Sequence, residues 1–144
     1  MLKVGDAAPD FEVGGTTLHK LAADRSVAVF FFPKVFTPTC TLESKAFGRE
    51  YETLRKAGGD VVGVSVDKPE ESARFCESLK LPFPLVGDKD GAIAAAFGVR
   101  WPLVGLARRI TFLVGRDRRI VVAFGSERDA EAHVRKIAQA LSAA

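Results

Sequence analysis

Val27-Ala28-Val29-Phe30-Phe31-Phe32 runs straight into Pro33. Six consecutive apolar residues leave the segment no polar side to turn to water, which marks a strand buried on both faces. Pro33 ends it, because proline has no N–H to give to a ladder. Downstream, Thr37-Pro38 opens a helical stretch to about Lys56, with Phe47, Tyr51 and Leu54 at helical spacing, and Gly58-Gly59 stops it. Val61 to Val66 reads as a second buried strand, and Asp67-Lys68-Pro69 turns into a helix over roughly 70–80. Pro82-Phe83-Pro84 breaks that helix, Leu85-Val86 is a short strand, and Asp90 to Phe97 is a short helix closed by Gly98. Ile110 to Val114 and Ile120 to Phe124 are strands about a turn near Gly115-Arg116-Asp117. Glu127 to Leu141 is a last amphipathic helix with Ala130, Val134, Ile137 and Leu141 on one side. Upstream, residues 10–21 read as short extended segments around Gly14-Gly15. The order βαβαβαββα implies an α/β sandwich, a mixed central sheet flanked by helices on both faces.

The remaining composition narrows the function. With 144 residues, 47% hydrophobic and 27% charged, the chain can bury a core without a metal or disulfide, and we expect one domain over 1–144. The net charge is +3. Residues 98–144 carry nine Lys/Arg against four Asp/Glu, and residues 1–97 carry twelve against fourteen. No basic helical stripe or interleaved aromatics accompany the excess, which argues against nucleic acid. The longest apolar run is far short of the roughly 18 residues a membrane span needs, and no targeting segment is visible, so the expected setting is cytoplasmic with reduced thiols. The two cysteines are too far apart for a zinc knuckle, and His19 and His133 lack ligand spacing, so neither metal nor cofactor is expected. His19 is expected on an exposed loop and His133 on the solvent side of the last helix. No phosphate loop, nucleophile elbow or Cys-x-x-Cys is present.

Chemistry concentrates at Cys40. Thr37 is a preferred N-cap and Pro38 suits the first helical position, which puts Cys40 in the first turn. There, free N–H groups and the helix dipole favour negative charge. An ordinary thiol with a pKa of about 8.5 is only a few per cent thiolate at neutral pH. Lowering it by about two units makes it mostly thiolate, at about 1.4 kcal/mol per unit. A helix N-terminus and one arginine can supply that. The competing reading is a small buried apolar residue.

The stretch Pro33-Lys34-Val35-Phe36-Thr37-Pro38-Thr39-Cys40 matches the motif Pro-x-x-x-Thr-x-x-Cys, and with it the chain resembles a peroxiredoxin, most closely the peroxiredoxin Q (bacterioferritin-comigratory) branch. The opening Val4-Gly5-Asp6-Ala7-Ala8-Pro9-Asp10-Phe11, the stretch Leu81–Asp88 and Arg109-Ile110-Thr111-Phe112-Leu113-Val114 carry the same resemblance, which extends over residues 2–142. It implies a thioredoxin-like fold and a thiol-dependent peroxidase. Cys40 would be the peroxidatic nucleophile, oxidised to a sulfenic acid. Thr37 would align the peroxide, Pro33 would shield the thiolate, and Arg109 would hold the thiolate and polarise the leaving oxygen. Glu43 would position Arg109, the alternative being an ordinary solvated helix residue. Arg108 is the adjacent candidate for the cation, but neighbours in an extended segment point to opposite faces, so only one of the two can reach Cys40.

The branch often places a resolving cysteine five residues after the first, a position held here by Lys45. Cys76, 36 residues on, resembles the branch's other resolving type. A Cys40–Cys76 disulfide would stabilise the oxidised chain by about 4 kcal/mol in the chain-entropy account. It also requires Cα atoms roughly 4.4–6.8 Å apart, hence local unwinding around 38–46 and 72–80. Alternatively Cys76 is core packing, since Ser72, Phe75, Cys76 and Leu79 share a helical face. The implied partners are a peroxide (hydrogen peroxide or an organic hydroperoxide) and a thioredoxin-like or other thiol reductant, with a monomer or weak dimer and neither nucleic acid nor membrane. The competing class is a redox sensor or binding module on the same fold, without turnover. The apolar segment 99–106 departs from the branch and fits a pocket wall, an interface or core.

Overall fold

The computed structural model describes residues 1–101 and 105–143; Pro102-Leu103-Val104, in the middle of the apolar segment 99–106, lie outside the described residues. The long apolar run becomes the central strand. It is β3 (Ser26–Phe32), with β1 (Glu12–Val13), β2 (Thr16–Thr17) and α1 (Leu18–Leu21) before it. After it come α2 (Pro38–Lys56), β4 (Gly59–Ser65), α3 (Pro69–Leu79), β5 (Leu85–Gly87) and α4 (Ala92–Ala96). The chain finishes with β6 (Ile110–Val114), β7 (Ile120–Gly125) and α5 (Ala130–Ser142). The main sheet has the order β5-β4-β3-β6-β7, and β1 and β2 pair by themselves. β3 runs parallel to β4 and antiparallel to β6, so strand direction reverses at the β3–β6 seam.

Burial on both faces of β3 follows from two separate cores. Val27, Val29 and Phe31 face one side with Phe97 and Phe112, and Leu21 of α1 and Ile93 of α4 pack against them. Ala28, Phe30 and Phe32 face the other, with Phe47 and Leu54 of α2, Phe75 of α3, and Val134, Ile137 and Leu141 of α5. The sandwich expected from the element order is therefore present. Its packing depends on Gly63 in β4: a Cβ there would meet Phe30 Cζ at 2.8 Å and also collide with Leu85 Cδ2. The bare backbone lets the Phe30 ring lie down and stack on Phe47, centroids 4.6 Å apart.

Several boundaries differ from the sequence reading, each for a local reason. β4 starts at Gly59 because Ser26 pairs with Gly59 at the foot of the parallel ladder. α5 starts at Ala130 rather than Glu127, because the Asp129 carboxylate accepts from Ala132 N at 3.0 Å and caps the helix there. α4 is shortened because Asp88 accepts from Ile93 N and Ala94 N (3.1 and 2.9 Å) and fixes its first turn. α1 was not anticipated within the extended stretch 10–21; Thr17 caps it by accepting from Lys20 N.

Candidate active site

α2 begins where β3 ends, so the fold carries its N-terminus to the end of the sheet. Thr37 stands at the N-cap, Pro38 opens the helix, and Cys40 lies in the first turn, fully buried. One expectation about this turn needs correcting. The Thr37 hydroxyl does not cap the helix; it donates to Lys34 O at 3.0 Å and braces the preceding loop instead. The Thr37 carbonyl accepts from both Thr41 N and Thr41 Oγ1. Pro33 is half-buried at the end of β3, and Phe36 between them adopts φ +64 with its ring exposed. A left-handed backbone is uncommon for an aromatic residue and marks a loop held by its surroundings.

The cation comes from the antiparallel half of the sheet. Arg109, just before β6, is buried, and its Nη1 donates to Cys40 Sγ at 3.3 Å. Arg108 points elsewhere, its guanidinium lying over the Trp101 ring at 5.3 Å, as the alternation along an extended segment requires. The same Nη1 stands 3.6 Å from Glu43 Oε1, Arg109 Nε stands 3.9 Å from Glu127 Oε1, and the Arg109 backbone N–H donates to Glu127 Oε2 at 2.9 Å. Glu43 is thus a buried partner of Arg109 and not a solvated helix residue.

Burial dominates the titration of Glu43. Neither of its oxygens makes a full hydrogen bond, and burial pushes its pKa up to about 8, outweighing the opposing pull of Arg109. At neutral pH the carboxyl is therefore mostly uncharged, and the one permanent charge of Arg109 is left for the Cys40 sulfur. An ionised Glu43 at that distance would compete for the same nitrogen.

His133 contradicts the sequence reading. It is fully buried in the core side of α5, with Nε2 3.3 Å from Glu43 Oε2. The signal was available: His133 falls three residues after Ala130 and four before Ile137, on the apolar face of the helix. Thr111, which meets its Nδ1 at 2.7 Å, was not singled out either. His19 is also displaced from its expected exposed loop. It sits in α1, half-buried, with Nε2 2.7 Å from Ala8 O.

Cys76 is half-exposed in α3, its thiol within 3.5 Å of Phe83 O, and burial pushes its pKa up. Its helix neighbour Phe75 enters the same core as Cys40. Both cysteines are free. A groove of about 470 Å³ runs past Cys76 between Ala73, Lys80, Leu81 and Gly14. Among the described residues no cluster of His, Cys, Asp and Glu could hold a metal ion, and no helix is long and apolar enough to cross a membrane.

The AhpC/TSA family profile matches residues 4–123. Peroxiredoxin Bcp of Escherichia coli K12 is 34% identical over 143 residues, covering 92% of this chain and 91% of its own. The crystal structure of peroxidoxin BcpB from Mycobacterium tuberculosis superposes with a TM-score of 0.92 at 34% identity, covering 99% of this chain and 98% of that one. The bacterioferritin comigratory protein of Xanthomonas campestris, described for its alkyl peroxide reduction activity, superposes with a TM-score of 0.82 at 28% identity over 99% and 98% of the two chains.

Proposed function

The chain belongs to the AhpC/TSA family, as a peroxiredoxin of the Bcp and peroxiredoxin Q kind, and on that premise we propose the following route for its thiol-dependent peroxidase reaction. The observation that carries it is the 3.3 Å hydrogen bond from Arg109 Nη1 to the buried Cys40 sulfur. The Cys40 thiolate attacks one oxygen of the peroxide. The new S–O bond forms as the O–O bond breaks, the departing oxygen leaves as water or an alcohol with the proton the peroxide brought, and the sulfenate left on Cys40 takes a proton from solvent to become the sulfenic acid. Arg109 stabilises first the thiolate and then the charge developing on the oxygens, and it acts in a water-poor site where such a charge counts most. Thr37 aligns the peroxide, and Pro33 screens the sulfur from bulk water. Hydrogen peroxide and organic hydroperoxides both fit this chemistry, the latter in keeping with the Xanthomonas relative.

Cys76 then attacks the Cys40 sulfenic acid, forming the S–S bond and releasing water. A thioredoxin-like dithiol, approaching along the groove beside Cys76, exchanges with that disulfide and restores both thiols. Both cysteine-bearing helices are intact in the reduced chain, so the step requires the first turn of α2 and the end of α3 to open. The chain works in the cytoplasm, as a monomer or weak dimer.

Intact mass after one equivalent of peroxide tests the route. Loss of about 2 Da in the wild type, absent in Cys40→Ser and Cys76→Ser, is the expected result. A gain of about 16 or 32 Da in the wild type would keep Cys40 as nucleophile and remove Cys76 from the cycle. No change, beside a reacting control peroxidase, would leave a sensor or binding module.

A further inference from the structure

His133 closes a ring with the groups that hold the Cys40 sulfur. Its imidazole, without solvent exposure, is fixed at three points. Nδ1 lies 2.7 Å from Thr111 Oγ1, Nε2 lies 2.9 Å from Ser126 O, and the Phe124 ring packs edge to face at 5.0 Å between centroids. Nε2 faces two acceptors, Ser126 O and Glu43 Oε2, so it carries the hydrogen; Nδ1 is then the acceptor, and the Thr111 hydroxyl donates to it. Burial is the main influence keeping the ring neutral. The Arg109 cation adds to it, against the Ser126 carbonyl that accepts from Nε2 and, less strongly, the carboxylates of Glu127 and Asp129.

The ring of side chains is rooted on one strand. Arg109, just before β6, and Thr111 within it are two residues apart in one extended run, so both project to the face covered by α2 and α5. From Thr111 the path runs to His133 on α5, to Glu43 on α2, to Arg109, and from there to Cys40. Glu43 has little else to hold it, since both oxygens are buried without a full hydrogen bond. Its orientation depends on the two groups packed against its ends, His133 Nε2 at 3.3 Å from Oε2 and Arg109 Nη1 at 3.6 Å from Oε1.

We propose that His133 is a positioning residue for peroxide reduction: its ring, pinned by Thr111 and Ser126 O, stands against Glu43 Oε2 and confines that carboxyl beside Arg109 Nη1, and so keeps that nitrogen on the Cys40 sulfur. The inference rests on Cys40 and Arg109 being the reacting pair. Misplacing a catalytic group by about 1 Å can cost a hundredfold in rate, so a remote side chain that removes such freedom has a measurable effect.

The test is the second-order rate of hydrogen peroxide reaction with the reduced protein, followed over about pH 5 to 9, in His133→Leu, His133→Gln and Thr111→Val. His133→Leu is expected to react about tenfold more slowly at neutral pH, with the rise of the rate displaced to higher pH. His133→Gln, whose amide N–H reaches toward Glu43, restores most of the rate. Thr111→Val, nearly isosteric, loses a few-fold. In a Glu43→Gln background His133→Leu costs nothing further, because its effect passes through Glu43. A wild-type rate and profile in His133→Leu, no rescue by glutamine, or a full multiplicative loss in the Glu43→Gln background would overturn the assignment. If His133→Leu fails to fold, an unchanged rate in Thr111→Val overturns it equally. Failure of the underlying reading is distinct: peroxide consumption would then survive in Cys40→Ser.

Discussion

Phe36 and Phe75 pack edge to face, with ring centroids 5.0 Å apart, and so tie the loop in front of Cys40 to the helix that carries Cys76. One partner is exposed and holds a left-handed backbone; the other is anchored in the core shared with Cys40. The contact resists the local opening of loop and helix that the proposed Cys40–Cys76 disulfide would require.

Removing the aromatic ring should therefore quicken disulfide closure. An aromatic pair contributes about 1 kcal/mol beyond its burial, so Phe36→Ala is expected to close about fivefold faster after a peroxide pulse. Its first step, sulfenic acid formation, should change much less. Acid-quenched samples analysed by intact mass separate the two steps. Equal closure rates in variant and wild type would show that the pair does not restrain the helix.

Arg109 should tolerate no substitute. Its Nη1 serves both the Cys40 sulfur and Glu43 while Nε turns toward Glu127, an arrangement that needs a rigid fork of donors. Arg109→Met is expected to slow peroxide reduction by about a hundredfold or more, and Arg109→Lys to recover little of it. Stopped-flow peroxide reduction measures this directly; a lysine variant near wild-type rate would mean that a point charge suffices.

Stability should fall with rising pH because of Glu43. Its pKa is about 8 in the folded chain against 4.5 for the ordinary carboxyl, so between those values the folded state binds more protons than the unfolded one. The wild type is then expected to lose stability relative to Glu43→Gln as pH rises from about 4.5 to about 8, by roughly 4 kcal/mol. His133 acts in the opposite sense: its lowered pKa adds stability as pH rises toward 6.5, and this is common to both proteins. Urea denaturation at about pH 5 and pH 8 gives the difference. Parallel behaviour of the two proteins would show that Glu43 is ionised throughout.

Gly63 sets the height at which α2 rides over the sheet. Gly63→Ala pushes against Phe30, whose ring carries Phe47 of α2, and should cost about 1–3 kcal/mol as an overpacked core. Thermal denaturation alongside the peroxide rate tests whether the displaced helix also moves Cys40. Unchanged stability would mean that Leu85 and Phe30 yield without strain.

The main elements were legible because β3, β4 and β6 are dominated by apolar residues and Gly58, Pro69 and Gly98 punctuate them unambiguously. Cys40 was legible for the same reason: a threonine, a proline and a buried strand fix its place in a helix. Alternation showed that only one of Arg108 and Arg109 can reach Cys40, and the family resemblance pointed to Arg109. The rest depends on distances across the fold. His133 was misplaced because histidine suits water and core alike, and only the helical spacing from Ala130 to Ile137 decides between them. Glu43 was named as a partner of Arg109 through the resemblance, but the sequence left a solvated position equally open, because nothing in its neighbourhood along the chain announces Arg109, 66 positions away. The start of α5 moved because Asp129, rather than an apolar residue, determines where that helix begins.

The nucleophile and its cation meet across the β3–β6 seam, where the parallel half of the sheet gives way to the antiparallel half, from positions 69 residues apart in the chain. A chain still emerging during synthesis, or one that has lost β6, keeps a thiol at position 40 without the guanidinium that arms it. With Cys40 and Arg109 as the proposed reacting pair, reactivity toward peroxide would report completed folding, and the immature protein would be spared the oxidation its finished form undergoes.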